Sequence, residues 1–445
     1  MTNSELDKCL FDKLNIKNNF DIVRGVVKNK FIVYYVSSLV DINLIQHIYQ
    51  LTDLNDGYIG NIQKINSLDE IVTGILSGLL FILHLDNDSY YLIETRDYPS
   101  RGINEPETEQ TIRGSKDGFC ESIITNVALV RRRIRNENLM FEKYQVGTYS
   151  KCDVVIAYLK DKVNIKYLEK IKKRIANNKE QVESIIMSDR ALEELLFPQK
   201  HNIYPLVKYS ERPDLVSINI LKGRVVILCD NSSSALITPT NIFEHLRHIE
   251  EYRQNPLVGT FLRLIRFMSI LFSLILIPLW LCALKDGNNE IFLIPDESNF
   301  YKIFYQVLVA EIMIEVLKIA TIHTPSKLSS TMGLVAALVL GQFAVEIGIF
   351  TQEIILYSSL SAIGGFATPS YELSLSNKIV KIIIIISIGF IGKFGFIFSL
   401  FFLFLYLVSI NKDDYPYLFP FVPFKYIEFK QIFSRMGKGN KKRVR

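Results

Sequence analysis

FMSILFSLILIPLWLCAL, residues 267–284, decides how this chain is read. It has no charged residue, and its length approaches the ~20 apolar residues a helix needs to cross ~30 Å of hydrocarbon. Arg263 and Arg266 precede it, and Lys285, Asp286 and Glu290 follow. Arginines beside a span favour the cytoplasmic side, so the chain is expected to enter the membrane from the inside.

Further apolar stretches follow. Residues 303–319 carry Glu311, Glu315 and Lys318. Residues 332–350, MGLVAALVLGQFAVEIGIF, hold one acid, Glu346. Residues 353–369 are interrupted by Gly364, Gly365 and Pro369. Residues 379–410 are broken only by Lys381 and by Gly392 with Lys393, and read either as one long tilted helix or as a hairpin of two spans. A chain with both ends in the cytoplasm needs an even number of spans: four with one weak segment re-entrant, or six.

Upstream the pattern changes to short elements. FDIVRGVVKNKFIVYYV, 20–36, reads as two strands around Lys28, Asn29 and Lys30, residues 39–51 have helical spacing, and 79–94 read as a β-hairpin across Asp86, Asn87 and Asp88. An extended connector then leads to a helix over 119–134. Strands are expected at 153–159 and 182–187, and helices at 164–178, 191–197 and 214–221. A second hairpin joins 224–229 to 235–238 across Asp230, Asn231 and Ser232. Both halves end in a similar hairpin, without enough identity to establish a duplication.

The expected architecture is an α/β cytosolic N-terminal region of two small subdomains plus an all-α transmembrane helix bundle. Its parts are an N-terminal arm (1–20), subdomain 1 with its connector (21–145), subdomain 2 (146–255), the transmembrane region (256–415) and a basic cytoplasmic tail (416–445). The net charge of +5 over 445 residues is too mild to argue for nucleic acid, and much of it lies in the tail at Lys430, Arg435, Lys438, Lys441, Lys442, Arg443 and Arg445, which reads either as a contact to anionic lipid or as a solvated tail, on the cytoplasmic side in both cases. The N-terminus has no apolar core of a signal peptide. The 5 cysteines, Cys9, Cys120, Cys152, Cys229 and Cys282, show no CxxC spacing and read as reduced thiols without a zinc site.

The candidate functional residues are the acids at membrane depth. Glu311 and Glu315, four apart, share a helix face, and Glu346 stands mid-span. An ionisable group there costs several kcal/mol, about 2.5–3.5 on insertion scales, and faces a bundle interior or a water path. These three are the candidates for an ion pathway or its gate. Gly333, Ala336, Ala337, Gly341 and Ala344 suit close helix packing. Arg131, Arg132, Arg133 and Arg135 close a helix where cations suit the macrodipole, and are candidates for a subunit contact. His245 and His248 form HxxH without the HExxH of a catalytic zinc helix. No GxxxxGK[ST], GxGxxG or GxSxG occurs, so no enzyme and no cofactor are expected.

Longer runs carry a family resemblance. RGSKDGFCESIITNVALVRRRIRNENL (113–139), VGTYSKCDVVIAYLKD (146–161), ERPDLVSINILKGRVVILCDNSSSALITPT (211–240), NPLVGTFLRLIRF (255–267), GLVAALVLGQFAVEIGI (333–349) and PSYELSLSNKIV (369–380) resemble the spore germination GerA family, A-subunit type. YPSRGINEPETEQTIRGSKDGF (98–119) and HIEEYRQNPLVG (248–259) are most similar to its stage V sporulation branch. The resemblance implies the spore inner membrane, homo-oligomers, small membrane partner subunits and ion release during germination. It also implies an acid at positions 311, 315 and 346. Thr148 and Tyr149 depart from a basic pair usual in the family. The expected function is therefore an oligomeric ion channel that releases cations or amplifies the germination signal. The alternative is a nutrient-sensing or scaffold subunit without its own pore.

Overall fold

The computed structural model describes residues 3–50, 62–63, 68–85, 90–97, 114–147, 152–177, 188–197, 202–287, 292–295, 299–323, 338–412 and 415–434. The strand expected at 182–187, Thr148 and Tyr149, Gly333, Ala336 and Ala337, and the basic tail from 435 lie outside them. The chain divides into two compact units: Met1–His201 with Leu206–Thr240, and Asn202–Pro205 with Asn241–Arg445.

The first unit begins with α1 (Asn3–Lys13), β1 (Ile22–Val27), β2 (Phe31–Val36), α2 (Ile42–Gln50), β3 (Ile62–Gln63), α3 (Leu68–Leu76), β4 (Leu79–His84) and β5 (Tyr90–Glu94). It continues with α4 (Ile123–Arg133), β6 (Leu139–Val146), β7 (Cys152–Leu159), α5 (Ile165–Asn177), α6 (Ser188–Leu196), β8 (Lys208–Ser210), α7 (Pro213–Leu221), β9 (Val225–Cys229) and β10 (Ala235–Thr238). The strand orders are β1-β2-β4-β5-β3 and β6-β7-β9-β10-β8, the same path laid down twice. The two similar hairpins seen in the sequence are the fourth and fifth strands of this repeat. β6 straddles the expected boundary at 145/146 and pairs along its whole length with β7.

Each sheet is antiparallel and buried on apolar runs. In the first, Leu10, Tyr34, Ile75 and Phe81 fill one face, and Val33, Ile45, Leu80 and Ile93 the other. The turn from β1 to β2 is tight because Lys28 and Asn29 both take positive φ, 51° and 53°.

The sheets are joined by a buried ion pair. Arg131 donates from Nε to Asp21 Oδ2 at 3.0 Å, from Nη2 to Asp21 Oδ1 at 3.1 Å and from Nη1 to the Leu139 carbonyl at 3.1 Å. Both side chains are fully buried. The Phe141 amide donates to Asn19 Oδ1 at 2.8 Å beside them.

The second unit is helical: α8 (Pro256–Asp286), α9 (Phe300–His323), a π turn Leu338–Phe343 running into Ala344–Glu346, α10 (Gln352–Phe366), α11 (Tyr371–Ile391), α12 (Lys393–Ser409) and α13 (Tyr426–Phe433). α8 starts on Pro256 and stops at Gly287, whose φ is 68°. Its 31 residues give a length of about 46 Å. α8 and α11 are long and apolar enough to cross a membrane; α12 is as apolar but shorter. The 379–410 stretch, left open between one helix and two, is two: the chain breaks at Gly392 (φ 67°, ψ −142°) and α12 packs back on α11. A side chain at Gly395 would run into the Ser387 carbonyl, so the close return depends on that glycine.

Candidate functional site

Two of the expected acids lie on α9, and the structure supplies partners that the sequence reading did not assign. Lys378 and Lys381, three apart on α11, project from one face of that helix. Lys378 Nζ stands 2.5 Å and Lys381 Nζ 2.6 Å from Glu311 Oε2. Lys381 Nζ also donates to Ser361 Oγ on α10 at 2.9 Å, and that hydroxyl donates to the Ser273 carbonyl on α8 at 2.8 Å. One polar chain thus ties α8, α10, α11 and α9. Glu311, Lys381, Ser361 and Ser273 are all buried.

The network is incompletely satisfied. Glu311 Oε1 and Glu315 Oε1 are buried with no hydrogen-bond partner among the described residues, and so is Thr368 Oγ1. Glu315 is 3.8 Å from Lys318, which lies 4.9 Å above the Tyr371 ring. Glu315, Lys318, Thr368, Lys378 and Lys381 border a polar chamber of about 40 Å³, room for a few waters. An apolar cavity of about 460 Å³ adjoins it, bounded by Ala310, Ile314, Phe350, Ile355 and Phe366 and sharing Lys318 with it.

Glu346 is placed differently. It closes the short helical turn after the π turn, two residues before Gly348 (φ 78°), and its side chain is exposed. The sequence reading of one regular helix to 350 gives way there, because Gly348 admits the left-handed turn. Among the described residues Glu346 has no ion pair. Glu311 is neutralised inside the helices, whereas Glu346 is an open carboxylate.

Of the arginine run, Arg131 is spent on Asp21 inside the fold. Arg133 donates to the Leu129 carbonyl at 2.7 Å and pairs with Asp117. Arg132 and Arg135 are the exposed members. Arg263, read as a cytoplasmic flank, is buried and bonds Glu251 Oε2 at 2.7 Å. Its Nη1 also donates to the carbonyls of Gln431 and Ile432 at 3.0 and 3.1 Å, closing the C-terminal end of α13. All five cysteines are free.

The tetrapeptide Asn202–Pro205 belongs to the helical unit, although the chain on either side of it belongs to the first. Tyr406 on α12 accepts from the Ile203 amide at 2.9 Å and donates to Asn202 Oδ1 at 2.6 Å. On α11, Ser376 donates to the Ile203 carbonyl at 2.6 Å and Asn377 accepts from Tyr204 at 3.3 Å. These two residues immediately precede Lys378.

The sequence profile described as Bacillus/Clostridium GerA spore germination protein matches residues 8–444. This chain belongs to the GerA spore germination family. It is 38% identical over 431 residues to stage V sporulation protein AF of Bacillus subtilis (strain 168), covering 94% of this chain and 86% of that one. It is 28% identical to spore germination protein KA of the same organism, covering 88% and 76%. It is also 28% identical to an uncharacterized membrane protein, YfkQ, of that organism, covering 93% and 82%. The crystal structure of the N-terminal domain of the A subunit of the Bacillus megaterium spore germinant receptor GerK3 is similar to it at 27% identity and a TM-score of 0.40, over 54% of this chain and 96% of that one. The GerA relationship thus extends across both units.

Proposed function

We propose that this GerA-family chain is a subunit of a spore germination complex in the spore inner membrane, and that copies of it surround an ion path in which Glu346 meets the permeant cation. The names of its relatives, germination and sporulation proteins, support the complex. The observation that carries the path is the contrast between acids. Glu311 is held by two ammonium groups among apolar helices, the arrangement of a closure element, while Glu346 remains open to attract cations. Both chain ends lie on the core side in this reading, with lipid and smaller membrane subunits as further partners. Subunit contact is assigned to Arg132 and Arg135, which lie at the exposed surface.

Potassium efflux from liposomes containing the purified protein, alone and with co-purifying subunits, tests it. Glu346→Gln is expected to reduce efflux toward that of empty vesicles. Unchanged efflux in both Glu346→Gln and Glu346→Ala removes Glu346 from the path.

A second reading, a sensing or scaffold subunit without its own pore, is favoured by the apolar cavity beside the polar chamber. It takes precedence if wild-type protein with its partners carries no flux.

A further inference from the structure

β7 begins at Cys152 and β9 ends at Cys229. In their antiparallel pairing Val154 faces Cys229, and the Asp230 amide donates to the Asp153 carbonyl at 2.9 Å. Alternation along a strand then puts residues 152, 154 and 229 on one face. The Sγ atoms of Cys152 and Cys229 are 3.7 Å apart, and both residues are free thiols, 7% and 1% exposed. Residues 77 positions apart in sequence thus place two sulfurs in contact, and they are two of five cysteines among which the sequence shows no pairing motif.

We propose that Cys152 and Cys229 are a reversible dithiol–disulfide couple, oxidised by a hydroperoxide. Bond formation brings the sulfurs from 3.7 Å to about 2.05 Å, a closure of about 1.7 Å. Cys152 is the attacking residue, because it stands at the strand end and is the more exposed of the two. The hydrogen bond from Cys229 holds its thiol below the usual cysteine range, against burial and the charges of Asp230 and Asp153; the thiolate is the reactive form. Its sulfur attacks one peroxide oxygen, breaking the O–O bond and giving a sulfenic acid and one water. The Cys229 sulfur then attacks the sulfenic sulfur and expels a second water. Two thiols lose two electrons and two protons, and one hydrogen peroxide becomes two waters.

The bond falls at a structural joint. Asp230 Oδ1 accepts from the Ile123 amide at 3.2 Å and the Asn231 amide donates to the Glu121 carbonyl at 2.9 Å, so the turn after Cys229 holds the first turn of α4. Stapling β7 to β9 fixes that turn.

The test treats reduced, full-length protein in detergent with hydrogen peroxide, removes the peroxide, denatures, alkylates with iodoacetamide and maps the peptides. The expected result is one linked peptide pair containing Cys152 and Cys229, cleaved by dithiothreitol, with Cys9, Cys120 and Cys282 alkylated. Cys229→Ser is expected to leave a Cys152 sulfenic acid trapped by dimedone. In wild-type protein, which avoids any folding defect of the variants, oxidation is expected to raise the melting temperature reversibly. Alkylation of both Cys152 and Cys229 after peroxide, or linkage of either to another cysteine, overturns the proposal and leaves them as packing residues.

Discussion

Lys381 on α11 and Glu311 on α9 meet 2.6 Å apart inside the helical unit, and the same ammonium group donates to the Ser361 hydroxyl at 2.9 Å. Removing one member of a buried pair strands a charge and costs about 3–5 kcal/mol, whereas replacing the whole set with apolar residues of similar size is often neutral or better. Glu311→Gln should therefore lower the melting temperature of the purified protein sharply. Lys381→Met leaves Lys378 to hold Glu311 and should cost less. The triple variant Glu311→Leu, Lys378→Met, Lys381→Met should regain much of the loss. If stability recovers while ion flux becomes ungated, the network serves closure; if flux is untouched, it serves packing alone.

Asp21 and Arg131 join the two sheets of the first unit with no solvent access. Arg131→Met leaves Asp21 buried and unpaired, at an expected cost of about 3–5 kcal/mol. Arg132→Ala, on the exposed side of the same helix, should change stability by less than about 0.5 kcal/mol. Chemical denaturation of the full-length protein, followed by circular dichroism, compares the two.

The first helix is fastened in a pH-dependent way. Burial pushes the Asp7 carboxyl up, but hydrogen bonds from Arg24 and Tyr34 and the Arg24 charge outweigh it and hold it below its ordinary value of 3.8. Arg24 Nη2 stands 2.8 Å from Asp7 Oδ2 and the Tyr34 hydroxyl 2.6 Å from Oδ1. A carboxyl depressed in the folded state contributes stability that is full above its unfolded pKa and is lost as pH falls through the lower folded value. Stability should therefore decline below pH 3.8 with a component that Asp7→Asn lacks. Equal acid slopes for wild type and Asp7→Asn would remove this contact from the account.

Much of this organisation was legible before the structure, because apolar periodicity is a local signal. The 18-residue uncharged run and the two hairpins need only neighbouring residues to be recognised. The repeated strand order was not legible, since a shared path requires matching burial rather than matching identity: β4 is LLFILH and its counterpart β9 is VVILC. β6, LMFEKYQV, is hidden in the sequence because Glu142, Lys143 and Gln145 interrupt its apolar pattern. The acids Glu311 and Glu315 stood out as costly at membrane depth. The lysines that hold Glu311 did not, although Lys381 interrupts an isoleucine run, because only packing of α11 on α9 brings Lys378 to Glu311 from 67 positions away. The arginine run misled in part: Arg131 looks like surface charge until Asp21 is seen beneath it.

The tetrapeptide Asn202–Pro205 is tied to α11 and α12. Its backbone is held by Tyr406, through the Ile203 amide, and by Ser376, through the Ile203 carbonyl. Tyr406→Phe keeps the ring beside Tyr204, 6.3 Å away between centroids, but removes the hydroxyl that bonds Ile203 and Asn202. Each lost bond is worth about 0.5–1.5 kcal/mol, more where a buried partner is left unsatisfied. Ser376 lies two residues before Lys378, so loosening this segment should also loosen the first turns of α11 on which the Glu311 network stands. Hydrogen exchange of the full-length protein is expected to show faster exchange at Ile203 and in the first two turns of α11 for both Tyr406→Phe and Ser376→Ala, with β7 and β9 unchanged. Faster exchange at Ile203 with α11 unaffected would mean that the segment is anchored by α11 without helping to hold it.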